Sequence, residues 1–142
     1  MYNYMNSKKL TILLYISAGC LTVLSIIVNI GFLGGTTSAD YDNIIMSVST
    51  YALWVFAINR IIVQSPNPKQ SSINVTVCVV AMVIGSLLFE PFAIVTYLPF
   101  IGIVMSLIPY ANSAVIFILI YASYIGAAWV SFLWTKFRSS NN

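Results

Sequence analysis

The sequence predicts an all-α polytopic membrane protein with four transmembrane helices. Two observations carry that reading. Of 142 residues, 60% are apolar and only 6% are charged, with a mean hydropathy of +0.95. A soluble domain carries about 25% charged residues to cover its surface, and six Lys/Arg with three Asp/Glu cannot do so. The apolar residues also fall into runs of 20 or so, the length a helix needs to cross a bilayer core of ~30 Å. The same scarcity of charge excludes a nucleic-acid binder, since six cations form no basic face. The chain has no histidine, which removes histidine acid–base chemistry and ligation. We expect no enzyme activity, cofactor or metal. Cys20 and Cys78 lie in apolar runs and read as small buried hydrophobes. The apolar run after Lys8-Lys9 is too long for a cleavable leader, so it reads as a retained first span.

The chain is expected to form one membrane domain, with spans at about 10–35, 44–63, 73–98 and 112–135. The first ends at Gly34-Gly35 and is followed by a polar loop, Thr36 to Asn43. The second carries Arg60 close to its end. Gln64 to Ser72 contains two prolines and reads as a breaker. The third run, Ile73 to Tyr110, is interrupted by Glu90-Pro91, Pro99 and Pro109. It is read as one kinked span followed by a Pro-broken outer segment over 91–110. Charge placement favours this over two spans. With four spans and both termini cytoplasmic, all six cations lie inside, as cytoplasmic Lys/Arg prefer; a fifth span would move Lys136 and Arg138 outside. A helix begun at Ile73 has risen about 26 Å by Glu90, which places that carboxylate near the outer headgroups. Segment 92–108 would then dip into the interface, tolerable where it packs against protein or lines a cavity. Tyr15, Tyr97, Phe100, Tyr110, Trp134 and Phe137 are expected at the span boundaries. Small residues such as Gly19, Ser25, Ser123 and Gly126 would allow close helix approach.

The two halves share a plan. Trp54-Val55 precedes Arg60 by six positions, and Trp129-Val130 precedes Lys136 by seven, each at the inner end of a returning span. Two hairpins running the same way would form a parallel repeat. Phe56-Ala57-Ile58-Asn59-Arg60 resembles the aromatic–small–Asn–basic stretch that closes the second span of GtrA-like proteins. Phe132-Leu133-Trp134-Thr135-Lys136-Phe137 resembles a worn second copy, and Tyr15 to Gly19 is similar to the family's opening segment. The resemblance covers the layout of most of the chain and about fifteen residues in detail. It departs where the second copy lacks its Asn and where Glu90 to Pro109 is long for the family. It implies a small four-span protein with a duplicated two-span unit. The implied role is to translocate, or help translocate, a polyprenyl-phosphate-linked sugar across the cell (inner) membrane for surface polysaccharide modification.

Arg60 is the leading site residue, because a planar guanidinium can clamp a lipid phosphate through two parallel hydrogen bonds. Snorkelling to the headgroups would explain it without function. Asn59 could orient it, with Lys136 and Arg138 as the matching basic pair. Glu90, the one acid in an apolar region, is a coupling carboxylate for protons or cations, or an interfacial group ending a helix before Pro91. Asp40-Tyr41-Asp42 reads as a solvated turn rather than a metal–nucleotide site. Asn74-Val75-Thr76 matches a glycosylation acceptor but abuts a span on the inner side. The expected partners are membrane lipids, a polyprenyl-phosphate sugar, and a second copy or membrane partner, since four spans are few to enclose a path. The alternatives are an immunity protein against a pore-forming toxin and a small proton-coupled transporter.

Overall fold

The fold is that of a computed structural model, which describes residues 2–30 and 40–140. Gly34-Gly35 and most of the loop after them lie outside the described residues, as does the side chain of Glu90. Among the described residues the architecture is all-helical, with no strand. The elements are α1 (Tyr2–Asn29), α2 (Tyr41–Gln64), α3 (Pro68–Leu88), α4 (Glu90–Tyr97), a 3-10 turn (Leu98–Phe100), α5 (Ile101–Leu107) and α6 (Ser113–Ser140). Four helices, α1 (over Thr11–Asn29), α2, α3 and α6, are long and apolar enough to cross a membrane.

Local chemistry sets the ends. Asp40 stands at the N-cap of α2, where its backbone N–H donates to Asn43 Oδ1 at 3.1 Å, and Asp42 in the first turn complements the helix dipole. The Asp40-Tyr41-Asp42 stretch is thus the start of a helix. The expected breaker 64–72 shrinks to Ser65–Asn67. Pro66 stops α2, whereas Pro68 occupies the first turn of α3, where its missing N–H costs nothing. Asn67 caps that turn by accepting from Gln70 N at 3.2 Å. At the far end of α3 the sequence reading needs correcting. The third span does not run to 98: α3 ends at Leu88, Phe89 is extended (φ −136°, ψ 108°), and Glu90 opens α4 rather than closing α3. Pro91 tolerates the first turn of a helix and no later position, so the break falls just ahead of it. Asn112 caps α6 by accepting from Ala114 N at 2.9 Å.

Packing centres on α2 and α6, with α1 on the flank of α2 and α3 on the flank of α6. Tyr51 OH lies 2.8 Å from Ser123 Oγ, and Asn59 Nδ2 donates to Ser131 Oγ at 3.0 Å. Both pairs are 72 residues apart, so α2 and α6 run parallel and in one register. Antiparallel pairing of α1 with α2 follows from Asn43 meeting Asn29 and from Thr11 Oγ1 donating to Gln64 Oε1 at 2.5 Å. The core joins Ile58 and Ile62 of α2 to Val79 of α3, Phe100, Val104, and Ile116, Ile120, Tyr121, Tyr124 and Ala128 of α6.

The segment after α3 is not a surface strip. Leu98, Pro99, Phe100, Gly102 and Val104 are all buried among the spans. Tyr97 and Phe100 therefore pack inward, against Phe117 and against Tyr121 and Tyr124, instead of anchoring a boundary. Tyr110, Trp134 and Phe137 are exposed. Cys20 and Cys78 are free and face outward, a correction to their expected burial. In an apolar surface bathed by lipid an outward thiol costs little.

Candidate functional site

The two ends of the bundle differ sharply in charge. Lys8 and Lys9 precede Thr11 on α1, and the Thr11–Gln64 bond sets that end beside the end of α2 carrying Arg60. Lys69 is the second residue of α3, and Lys136 and Arg138 lie in the last turns of α6. All six cations thus gather at one end. Asp40, Asp42 and Glu90 belong to the other, at the starts of α2 and α4. Arg60 and Glu90 are placed apart, as expected, and share no site.

At the cation-rich end, Asn59 is fixed by donation to Ser131 Oγ, which itself donates to Ala127 O at 2.7 Å. Arg60 follows it in α2 and is half-buried, while Lys136 and Arg138 are exposed. The 72-residue register places Lys136 level with Gln64, about 6 Å along the axis beyond Arg60 at a rise of 1.5 Å per residue. These four residues share an end, with Arg60 the deepest of the three cations. Sequence reasoning missed Ser131, which holds Asn59 in place. Among the described residues no three His, Cys, Asp or Glu side chains gather to hold a metal.

At the acid-rich end lies a buried polar clasp that sequence reasoning also missed. Asn29 Nδ2 donates to Ser25 Oγ and to Ser47 Oγ, each at 3.2 Å, and Asn29 Oδ1 accepts from Asn43 Nδ2 at 3.0 Å. Ser25, Asn29 and Ser47 are completely buried. The clasp serves the proline-broken segment. Ser25 Oγ donates to Pro99 O at 2.7 Å, Gly102 N donates to Ser47 Oγ at 3.1 Å, and Tyr121 OH donates to Thr96 O. Three backbone groups of the break are thus satisfied by side chains from α1, α2 and α6. Breaks at membrane depth need such neighbours, because hydrocarbon offers the freed groups nothing. A readable signal existed: Ser25/Asn29 and Asn43/Ser47 are polar pairs four residues apart, each on one face of an apolar helix.

A third set of contacts relates the two halves. Trp54 Nε1 donates to Thr22 Oγ1 at 2.8 Å, and Trp129 Nε1 donates to Thr76 Oγ1 at 3.2 Å. Each threonine also donates to the carbonyl four residues back, that of fully buried Ala18 or Ser72. The Trp-Val dipeptides thus occupy equivalent positions in the α1–α2 and α3–α6 hairpins. From threonine to tryptophan the second hairpin spans 53 residues (76 to 129) against 32 in the first (22 to 54). The excess of 21 equals the length of 90–110. No family model matches this sequence, and neither a curated protein nor a solved structure does.

Proposed function

We propose that the protein is integral to the cell (inner) membrane with both termini cytoplasmic, and that it helps translocate a polyprenyl-phosphate-linked sugar for surface polysaccharide modification. The position of Arg60 carries the reading. Among the described cation side chains it alone is half-buried, and it follows an asparagine already locked to Ser131. A guanidinium held there can take a phosphate in two parallel hydrogen bonds. Because Asn59 Nδ2 is engaged, its carbonyl oxygen is left to accept from a sugar hydroxyl. Lys136 and Arg138, a turn or more farther out, add positive potential that attracts the phosphate. The GtrA-like resemblance of Phe56 to Arg60 supports the same role.

The interior bears on how the sugar would pass. The clasp, the two tryptophan–threonine pairs and the Tyr51–Ser123 contact use their polar groups on one another. A sugar path therefore runs along the surface of one chain and is completed by a second copy or a membrane partner. The test is flipping of a fluorescent polyprenyl-phosphate sugar in proteoliposomes. Arg60→Ala is expected to abolish it and Arg60→Lys to retain part, with insertion unchanged; full activity in Arg60→Ala overturns the proposal. The self-satisfied interior also favours a second reading, an immunity protein that engages a toxin's helices. That reading predicts loss of toxin resistance from changes in 91–110, with Arg60 dispensable. Proton coupling through Glu90 predicts instead that Glu90→Gln alone is inactive.

A further inference from the structure

Helices α3 and α6 are joined at the cation-rich end, where Ser72 Oγ donates to Ala128 O at 3.2 Å and Trp129 bonds Thr76. Toward the acid-rich end they part around Tyr97. That ring is pinned by a 2.5 Å hydrogen bond with Ser86 and packs on Phe117 with centroids 4.4 Å apart. Between the helices is a cleft of about 550 Å³, with Val80, Ile84 and Leu87 on one wall and Ala114, Ile118 and Ala122 on the other. All six are outward-facing, so the cleft is continuous with the lipid-facing surface of the two spans.

We propose that this cleft seats one acyl chain of a bilayer phospholipid from the leaflet at the acid-rich end. Its depth selects the occupant. It runs from Val79 to Leu87 along α3 and from Ser113 to Ile125 along α6. At 1.5 Å per residue these stretches are about 12 and 18 Å long, against about 15 Å for half of a ~30 Å hydrocarbon core. The cleft opens at headgroup level and closes near the middle of both helices. A chain confined to one leaflet fits that length, whereas a polyprenyl chain would outrun it. The walls are apolar and carry no cation, so recognition rests on the chain and not on the headgroup. Water gains nothing from such walls. This inference is independent of the phosphate site at the other end.

The experiment reconstitutes the full chain in vesicles containing phosphatidylcholine with a diazirine midway along one acyl chain, then maps photolabel by mass spectrometry. Residues 79–87 and 113–125 are expected to carry several-fold more label than the equally outward Ile12, Leu13, Ile16 and Ile27 of α1. Ala122→Trp, which fills the cleft from its outer wall, is expected to lower cleft labelling several-fold and leave α1 labelling unchanged. Equal labelling of α1 and the cleft in the wild-type chain overturns the proposal without reference to any variant. So does displacement of the label by polyprenyl phosphate but not by excess phosphatidylcholine.

Discussion

Gly102 differs from alanine by one methyl, and that methyl would lie 2.2 Å from Asn43 O and 2.7 Å from Ser47 Oγ. The backbone of α5 approaches α2 this closely because Gly102 N must reach Ser47 Oγ. Gly102→Ala is expected to destabilise by about 1–3 kcal/mol, the usual cost of overpacking, read as a lower midpoint in SDS-titrated unfolding from mixed micelles. Asn29→Ala removes the hub of the clasp, so that Ser25, Ser47 and Asn43 each lose one hydrogen bond and keep another, with Pro99 O, Gly102 N and Val28 O, at a cost of about 1–3 kcal/mol. Combined with Ser47→Ala it should cost less than the sum, because both changes break one network. The two buried tyrosines of α6 should part company in the same assay. Tyr124 is buried and its hydroxyl has no hydrogen-bond partner among the described residues. Tyr121 OH donates to Thr96 O. Tyr124→Phe should be neutral or stabilising, while Tyr121→Phe should cost about 1 kcal/mol. A Tyr124→Phe loss equal to that of Tyr121→Phe would contradict the assignment.

Among the elements, the prolines divide by position. Pro66 and Pro109 sit between helices, Pro68 and Pro91 in first turns, and Pro99 inside a buried 3-10 turn. The runs of apolar residues and the polar and proline breaks between them made α1, α2, α3 and α6 legible in the sequence, to within three residues at both ends of α2 and with errors of five to ten residues at the ends of α1 and α3. Glu90-Pro91 marked the break to within two residues, but its exact place at Phe89 was not legible, because Phe89 is as apolar as its neighbours and only its backbone departs from the helix. Nor was the inward course of 98–104. Burial within protein and immersion in lipid call for the same side chains, so hydropathy cannot separate them. Of the site, Arg60 and Asn59 were legible as polar residues in a span, but Ser131 was not, since a serine in a membrane helix commonly bonds its own backbone. The two tryptophan–threonine pairs make a paired prediction. Trp54→Phe and Trp129→Phe each remove one interhelical hydrogen bond and should each cost about 0.6 kcal/mol, the mean measured for such bonds in membranes. A large inequality between them would argue against equivalent hairpins.

For the whole molecule, the decisive feature is that α2 and α6 run parallel while the 90–110 segment enters and leaves the bundle at the acid-rich end. Four crossings then place all six cations at one membrane face, as cytoplasmic Lys/Arg placement favours. A fifth crossing through 92–108 would instead carry Tyr110 to the side of Asn67 and send the carboxyl end to the opposite face. Both layouts have the same helices, so secondary-structure content cannot separate them. Labelling of single cysteines by a membrane-impermeant maleimide in intact cells can, in a background with Cys20 and Cys78 replaced by serine. The account predicts that Asp40→Cys and Tyr110→Cys react from outside, whereas Asn67→Cys and Ser140→Cys react only after permeabilisation. Protection of Tyr110→Cys together with outside labelling of Ser140→Cys would contradict it.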